Sequence, residues 1–376
     1  MKKSLLILAC AAAAFSLSAQ TPQEEAKNYY NTGKNAIKKY DDLLGRMRLN
    51  MLKEGEDMTM AKSLMDAYDN FLLVLPLDSM PDAKGKVKPK YTKDIKNQIS
   101  GHYTDFTDVG GLFYNGKDYK NAIRAWDTFV ELSDNPERFD IKALPDTTVA
   151  LYIWNAALAA YEDNDLPLAS KKLVQAGKRG YDKEILYQYG LQIAQQAKDD
   201  EATLYFATEG DKKFGTTDNR YINSLINYYL LKEKYDDALT YLDQAIALNP
   251  QGSQYYALEG IVYEAKDDFP KAMELYKKAV DLDANNGLAN YYYGRGLSIL
   301  TGKKSDEFNG NQAQYEAFYK SELLPHYKEA ITVLEKAYEL DPNNRGNTLN
   351  LLEQLYYITN DEAGMKSVKD RKLNDD

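Results

Sequence analysis

A 34-residue period in the middle of the chain constrains its fold more than any other feature. It begins at Asn219 and recurs at Ser253 and Gly287. In the first unit Ile222, Leu225, Ile226 and Tyr229 share one helical face, and Tyr235, Ala238, Leu242 and Ala245 share the next. The second unit repeats the pattern with Tyr256, Gly260 and Tyr263, then Phe269, Ala272, Tyr276 and Ala279. A period of this length is one helix–turn–helix layer. Such a layer cannot bury its apolar face alone and must stack on its neighbours. The expected fold class is therefore all-α, a solenoid of helix pairs, and a chain of this kind usually offers a binding surface rather than catalysis.

Three further units align on the small residue of their second helix: Ala122, Ala169 and Ala330. A weaker one, with Gly190, Ala202 and Phe206, is out of phase by a residue or two. The small residue is needed where two helix backbones come close, because a larger side chain would push them apart. The aromatic three residues earlier (Tyr119, Tyr235, Phe269, Tyr327) wedges the turn between the helices. Asn249-Pro250, Asp341-Pro342 and Asn135-Pro136 end second helices, since the residue before proline disfavours the helical region.

This pattern resembles the tetratricopeptide repeat family. The resemblance is specific from Asn219 to Asn286, good for the Ala122 and Ala330 units, and covers the chain from about Tyr103 onward. Ala284 replaces the family's usual proline, and Glu259 stands at an apolar position. The resemblance implies a right-handed α-solenoid preceded by an N-terminal helical extension. The boundaries read as a leader over 1–19, the extension over 20–102, and the repeats over 103–344 with insertions near 137–149 and 302–324. A capping hairpin over 345–376, with Gly364 in place of alanine, completes the chain.

In this family the first helix of each repeat lines the concave face, at the second, fifth, ninth and twelfth positions. Carried onto this chain, those positions give Arg220, Asn223 and Asn227 in one unit, and Tyr291 and Arg295 two units later. Asn223, Asn227 and Arg295 have no core role by periodicity and are suited to a peptide backbone or carboxylate. The lysines of the family's carboxylate clamp are missing. Trp154 is assigned to the core rather than to the groove.

Before the repeats, Lys2 and Lys3 precede an apolar run from Leu5 to Phe15, and Ser16-Leu17-Ser18-Ala19 offers a cleavage site. That is the form of a secretory signal peptide, so the mature chain is expected in the cell envelope, most simply the periplasm. The sole cysteine, Cys10, lies within the leader, and Leu8 before it fits a lipidation site poorly, so no lipid anchor, disulfide or thiol chemistry is expected. Phe71 to Leu75 is the most apolar later stretch, and Pro76 is expected to stop it well short of the roughly 20 residues a membrane span needs. The net charge of −10 argues against nucleic acid as a partner. Lysines 84, 86, 88, 90, 93 and 96 form a basic segment read as a solvated loop leading into a helix from Thr92.

No spaced metal pair, nucleophile elbow or phosphate loop is present, and His102 and His326 are far apart. Asp281 to Gly287 superficially resembles a calcium loop, but its glycine is one residue late and Tyr292 stands where the closing glutamate belongs. No cofactor, metal or catalytic residue is expected. The reading is a non-catalytic scaffold binding a protein or peptide. The alternative is an envelope carbohydrate-binding protein that uses some of its 32 tyrosines as stacking platforms.

Overall fold

The computed structural model describes residues 21–82 and 84–375, and the leader expected over 1–19 lies outside them. Every regular element among the described residues is helical. The chain separates into two compact units, one running to Phe206 and the other starting at Ala207.

The first unit opens with a hairpin of α1 (Pro22–Arg48) and α2 (Glu56–Asp78). Thr21 and Glu24 form a capping box at the start of α1, satisfying backbone donors that have no partner within the helix. Gly33 lies against the Phe71 ring, where a Cβ would meet ring carbons at 2.6 Å. Pro76 does not stop α2, which runs on to Asp78. A proline in the last turn forfeits one backbone bond, a small loss once α2 is packed along α1.

Next come α3 (Thr92–His102), α4 (Asp105–Asn115), α5 (Tyr119–Asp134), α6 (Asp146–Glu162), α7 (Leu166–Lys178) and α8 (Glu184–Gln196). The insertion expected near 137–149 is anchored: a 3-10 turn at Pro136–Arg138 leads to Phe139 and Ile141, both buried. Trp154 is 7% exposed and stacks on Tyr181 with centroids 5.0 Å apart, so it packs in the core as expected.

Helix α9 (Asp200–Phe214) passes the division between the units. The second unit then contains α10 (Arg220–Leu231), α11 (Tyr235–Leu248), α12 (Ser253–Ala265), α13 (Phe269–Leu282) and α14 (Gly287–Asp306). A short α15 (Gln312–Phe318) and a π turn at Tyr319–Leu323 precede α16 (Leu324–Leu340), α17 (Arg345–Ile358) and α18 (Glu362–Asp375). The insertion expected over 302–324 is therefore helical. Phe308 stacks on Phe318 at 4.6 Å, the Tyr315 and Ser305 hydroxyls are 2.8 Å apart, and Leu323 is fully buried.

One contact recurs through both units. The glycines at 110, 190 and 260 each lie beneath an aromatic ring sixteen residues later: Trp126, Phe206 and Tyr276 respectively. At Gly260 a Cβ would sit 2.5 Å from Tyr276. Gly294 lies beneath Leu334, forty residues on, and the 24 extra residues are the length of the insertion. Gly190 and Phe206 thus keep the common register, and the shift noted in sequence for the Ala202 unit lies in the connections on either side. Each pair closes one helix pair by setting a large side chain into the gap a glycine leaves.

The turns inside the pairs share a second device. Lys117, Asn164, Lys198, Asp267 and Asn360 adopt positive φ, and an aspartate follows each of them. The carboxylates of Asp118, Asp165, Asp199, Asp268 and Asp361 accept the backbone N–H three residues on, capping the second helix. Glu233 takes the same conformation but is followed by Lys234, which makes no such cap. Asp236 and Asp237 lie in the first turn of α11, where they complement its dipole.

Candidate partner-binding face

In the second unit the first helices of successive pairs are α10, α12 and α14. Arg220, Asn223 and Asn227 are spaced along one side of α10 and all three are exposed. The Arg220 guanidinium is held by Asp218, with Nε 2.7 Å from a carboxylate oxygen. Tyr291 and Arg295 follow one another by a turn on α14, both half-buried, and the Tyr291 ring meets Tyr292 edge-on at 5.2 Å.

Arg295 is not the free cation that its position suggested. Its Nη2 donates to both carboxylate oxygens of Glu264 on α12 at 2.5 Å, and its guanidinium lies 5.1 Å from the Tyr292 ring centre. The Tyr276 hydroxyl donates to the same carboxylate at 2.8 Å, and the Tyr276 ring stacks on Tyr292. Burial first, and then the hydrogen bond to Glu264, push the Tyr276 hydroxyl far above the usual tyrosine range. The positions carried over from the family placed Arg295 on the face but did not pair it with Glu264, because the bond joins helices from different repeats. The separation of 31 residues, three short of one period, was the only signal in the sequence.

The same arrangement recurs nearby. Tyr356 donates to Glu335 at 2.5 Å while Arg371 holds the other carboxylate oxygen at 2.7 Å, and Tyr293 donates to Glu329 at 3.0 Å. In the first unit Tyr30 donates to Asp94 at 2.8 Å with Lys34 at 3.3 Å. Burial and the Asp94 bond push Tyr30 up to about 12. The abundance of tyrosine has a structural use: the ring fills the layer while the hydroxyl satisfies a carboxylate that would otherwise be costly to desolvate.

The first helices of the first unit are different. On α6, Leu151 and Tyr161 are exposed on the side that carries Trp154, and on α8 Ile185 and Tyr189 are exposed, with Tyr189 meeting the Trp154 ring edge-on at 6.4 Å. A concavity of about 1040 Å³ in this unit lies along second helices instead, lined by Lys171, Gln175 and Lys178 of α7 and Tyr205 of α9. Its charges are largely engaged internally: Arg179 pairs with Asp134 and Asp146, and Lys178 covers the Tyr205 ring.

The histidines do not form a site. His102 Nδ1 lies 2.8 Å from Asp105 and Nε2 lies 3.6 Å from Asp41, whereas His326 is exposed beside Glu329 at 3.8 Å. No group of three potential metal ligands occurs among the described residues. Asp281 to Gly287 runs from the end of α13 to the start of α14, and in the turn between them Asp283 accepts from the Asn285 backbone and Asn286 caps α14. No described helix is long and apolar enough to cross a membrane.

Stacked helix pairs closed by small-against-large contacts, with exposed first helices, define an α-helical repeat protein. Residues 224–287 and 324–344 match tetratricopeptide repeat families, and the chain carries tetratricopeptide repeats there. Among curated proteins, anaphase-promoting complex subunit 3 of Schizosaccharomyces pombe is 26% identical over 115 residues, which is 31% of this chain and 16% of that protein. The matched stretch thus spans about a sixth of that relative. Among solved structures, the C-terminal part of a TPR repeat-containing protein from Cytophaga hutchinsonii is 14% identical. It covers 72% of this chain and 95% of its own, with a TM-score of 0.40. YrrB, described as a TPR protein with an unusual peptide-binding site, is 16% identical, covers 53% of this chain and 95% of its own, and has a TM-score of 0.34.

Proposed function

We propose that the protein is a non-catalytic scaffold that binds a protein or peptide along the first helices of its tetratricopeptide repeats. The observation that carries this reading is the exposed polar row Arg220, Asn223 and Asn227 on α10, within and beside the matched repeats. Their spacing places amide and guanidinium groups on one side of a rigid helix, suited to the repeating donors and acceptors of an extended backbone. Tyr291 supplies a ring edge. Arg295, neutralised by Glu264, supplies a fixed planar surface beside it and no free charge. Ordering cost is low because the helices are already packed, so many modest contacts suffice.

The leader over residues 1–19 supports export, and on this reading the scaffold works in the cell envelope, in the periplasm. The test is capture from envelope extract with the wild type beside an Asn223→Ala/Asn227→Ala variant. A protein recovered by the wild type and lost by the variant supports the reading. Equal recovery by both sinks the assignment to α10, and retention of a glycan but no protein turns the function toward carbohydrate binding.

A further inference from the structure

We infer that the lysine strap running from the connection after α2 into the first turns of α3 is a docking element for an anionic lipid surface. From Lys84 to Lys96 the chain has six lysines and one aspartate, a net charge of +5, which leaves −15 on the rest. Lys84, Lys86, Lys88, Lys90 and Lys93 are exposed. Only Lys96 has an ion pair among the described residues, with Asp140 at 3.7 Å.

The strap is held in place. Asp78, 8% exposed at the end of α2, accepts from the backbone of Lys90, Tyr91 and Thr92 at 2.8 to 2.9 Å and from the Thr92 hydroxyl at 2.8 Å. Burial raises the Asp78 carboxyl, but these four hydrogen bonds outweigh it and hold the group below its ordinary value. Asp82 accepts from Lys84 and Lys86, and Tyr91 stacks on Tyr30 of α1 at 4.3 Å. A rigid frame holding unpaired like charges close together is explained by a partner that supplies the opposite charge.

Two observations favour lipid over an acidic protein. The basic residues are all lysine, a point charge on a flexible stem, and not the planar fork that recognises one carboxylate. Val87, 55% exposed, stands between two of them and can enter an interface while the ammonium groups stay with the head groups.

The test measures partition of the full chain between buffer and vesicles of phosphatidylcholine alone or with 30 mole per cent phosphatidylglycerol. The wild type is compared with a variant in which Lys84, Lys86, Lys88, Lys90 and Lys93 are all glutamine. Each surface lysine is worth roughly fivefold near an anionic membrane. The wild type should prefer anionic vesicles at least a hundredfold at low salt and lose most of that preference at 0.5 M salt, where the Debye length is only about 4 Å. The variant should fall to within a few-fold of no preference while keeping its circular dichroism and melting temperature. Dividing the wild-type anionic-to-neutral ratio by that of the variant removes any contribution of the leader, whose Lys2 and Lys3 are common to both proteins. Equal ratios for wild type and variant would overturn the inference. So would a wild type that ignores both vesicles but binds soluble polyglutamate, which would assign the strap to an acidic protein.

Discussion

The units on either side of the division at Phe206 and Ala207 close their helix pairs in the same way but present different first helices. Gly110 under Trp126 and Gly190 under Phe206 in one, and Gly260 under Tyr276 in the other, share a sixteen-residue spacing. Yet α6 and α8 expose Leu151, Tyr161, Ile185 and Tyr189 along their length, whereas α10 exposes the polar row Arg220, Asn223 and Asn227 and keeps its exposed apolar residue, Leu231, to its last position. Both family matches fall in the second unit. The difference teaches that the architecture asks for little beyond a small residue facing a large one at fixed separation, leaving the outward positions free to diverge.

The severest way to break this equivalence is to fill the glycines. Gly110→Val and Gly260→Val each force a side chain into the facing ring, and each should cost about 3 kcal/mol or more. Hydrogen exchange should show protection lost around the altered pair in the same unit. Equal loss throughout both units would mean that they unfold as one body.

A smaller loss, about 2 kcal/mol, is expected for Glu264→Ala, because Arg295 and the Tyr276 hydroxyl are then left partly buried without their acceptor. Chemical denaturation would measure it, and an unchanged midpoint would remove the network from the stabilising features of the second unit. The tyrosine–carboxylate pairs also carry a pH signature. Tyr30, Tyr276, Tyr293 and Tyr356 all have raised pKa values when folded, so the folded state keeps protons that the unfolded chain releases above about pH 10. Stability is therefore full below that point and falls as pH rises further. Tyr276→Phe should make the alkaline fall shallower, as followed by circular dichroism.

On the surface, Asn223→Ala with Asn227→Ala should weaken partner binding roughly tenfold, about 1.4 kcal/mol, while stability stays within about 0.5 kcal/mol. A comparable loss from Tyr189→Ala in the first unit would show that both first-helix faces are used. The smallest effect is expected at Glu259, half-buried at an apolar position, where burial and then Asp243 raise its pKa. Its folded-state pKa exceeds the unfolded value, so its contribution is lost as pH rises from acid to neutral. Glu259→Leu should accordingly stabilise the protein by about 1 kcal/mol at pH 7 and by less near pH 4, as read from melting curves.

Much of the fold was legible because helix periodicity and the 34-residue repeat are local properties of the chain. The glycine and alanine positions could be read from spacing, and the misplaced Glu259 from the departure it makes from the family pattern. Pro76 within α2 and the helical 302–324 insertion could not, because packing along α1 and around Phe308 and Phe318 overrides local preference. The face was legible only as a row of positions. Asn223 and Asn227 stand exposed as their register implied, but the charge of Arg295 is already taken by Glu264, one repeat earlier.

What the sequence determined by itself was the helix pair, since periodicity, caps and small residues act within some forty residues. What the tertiary structure decided was which polar groups remain free. Hydrogen bonds such as Arg295 to Glu264 and Lys90 to Asp78 depend on how close separate helices and their connections come, and that distance is set by packing that no local pattern encodes.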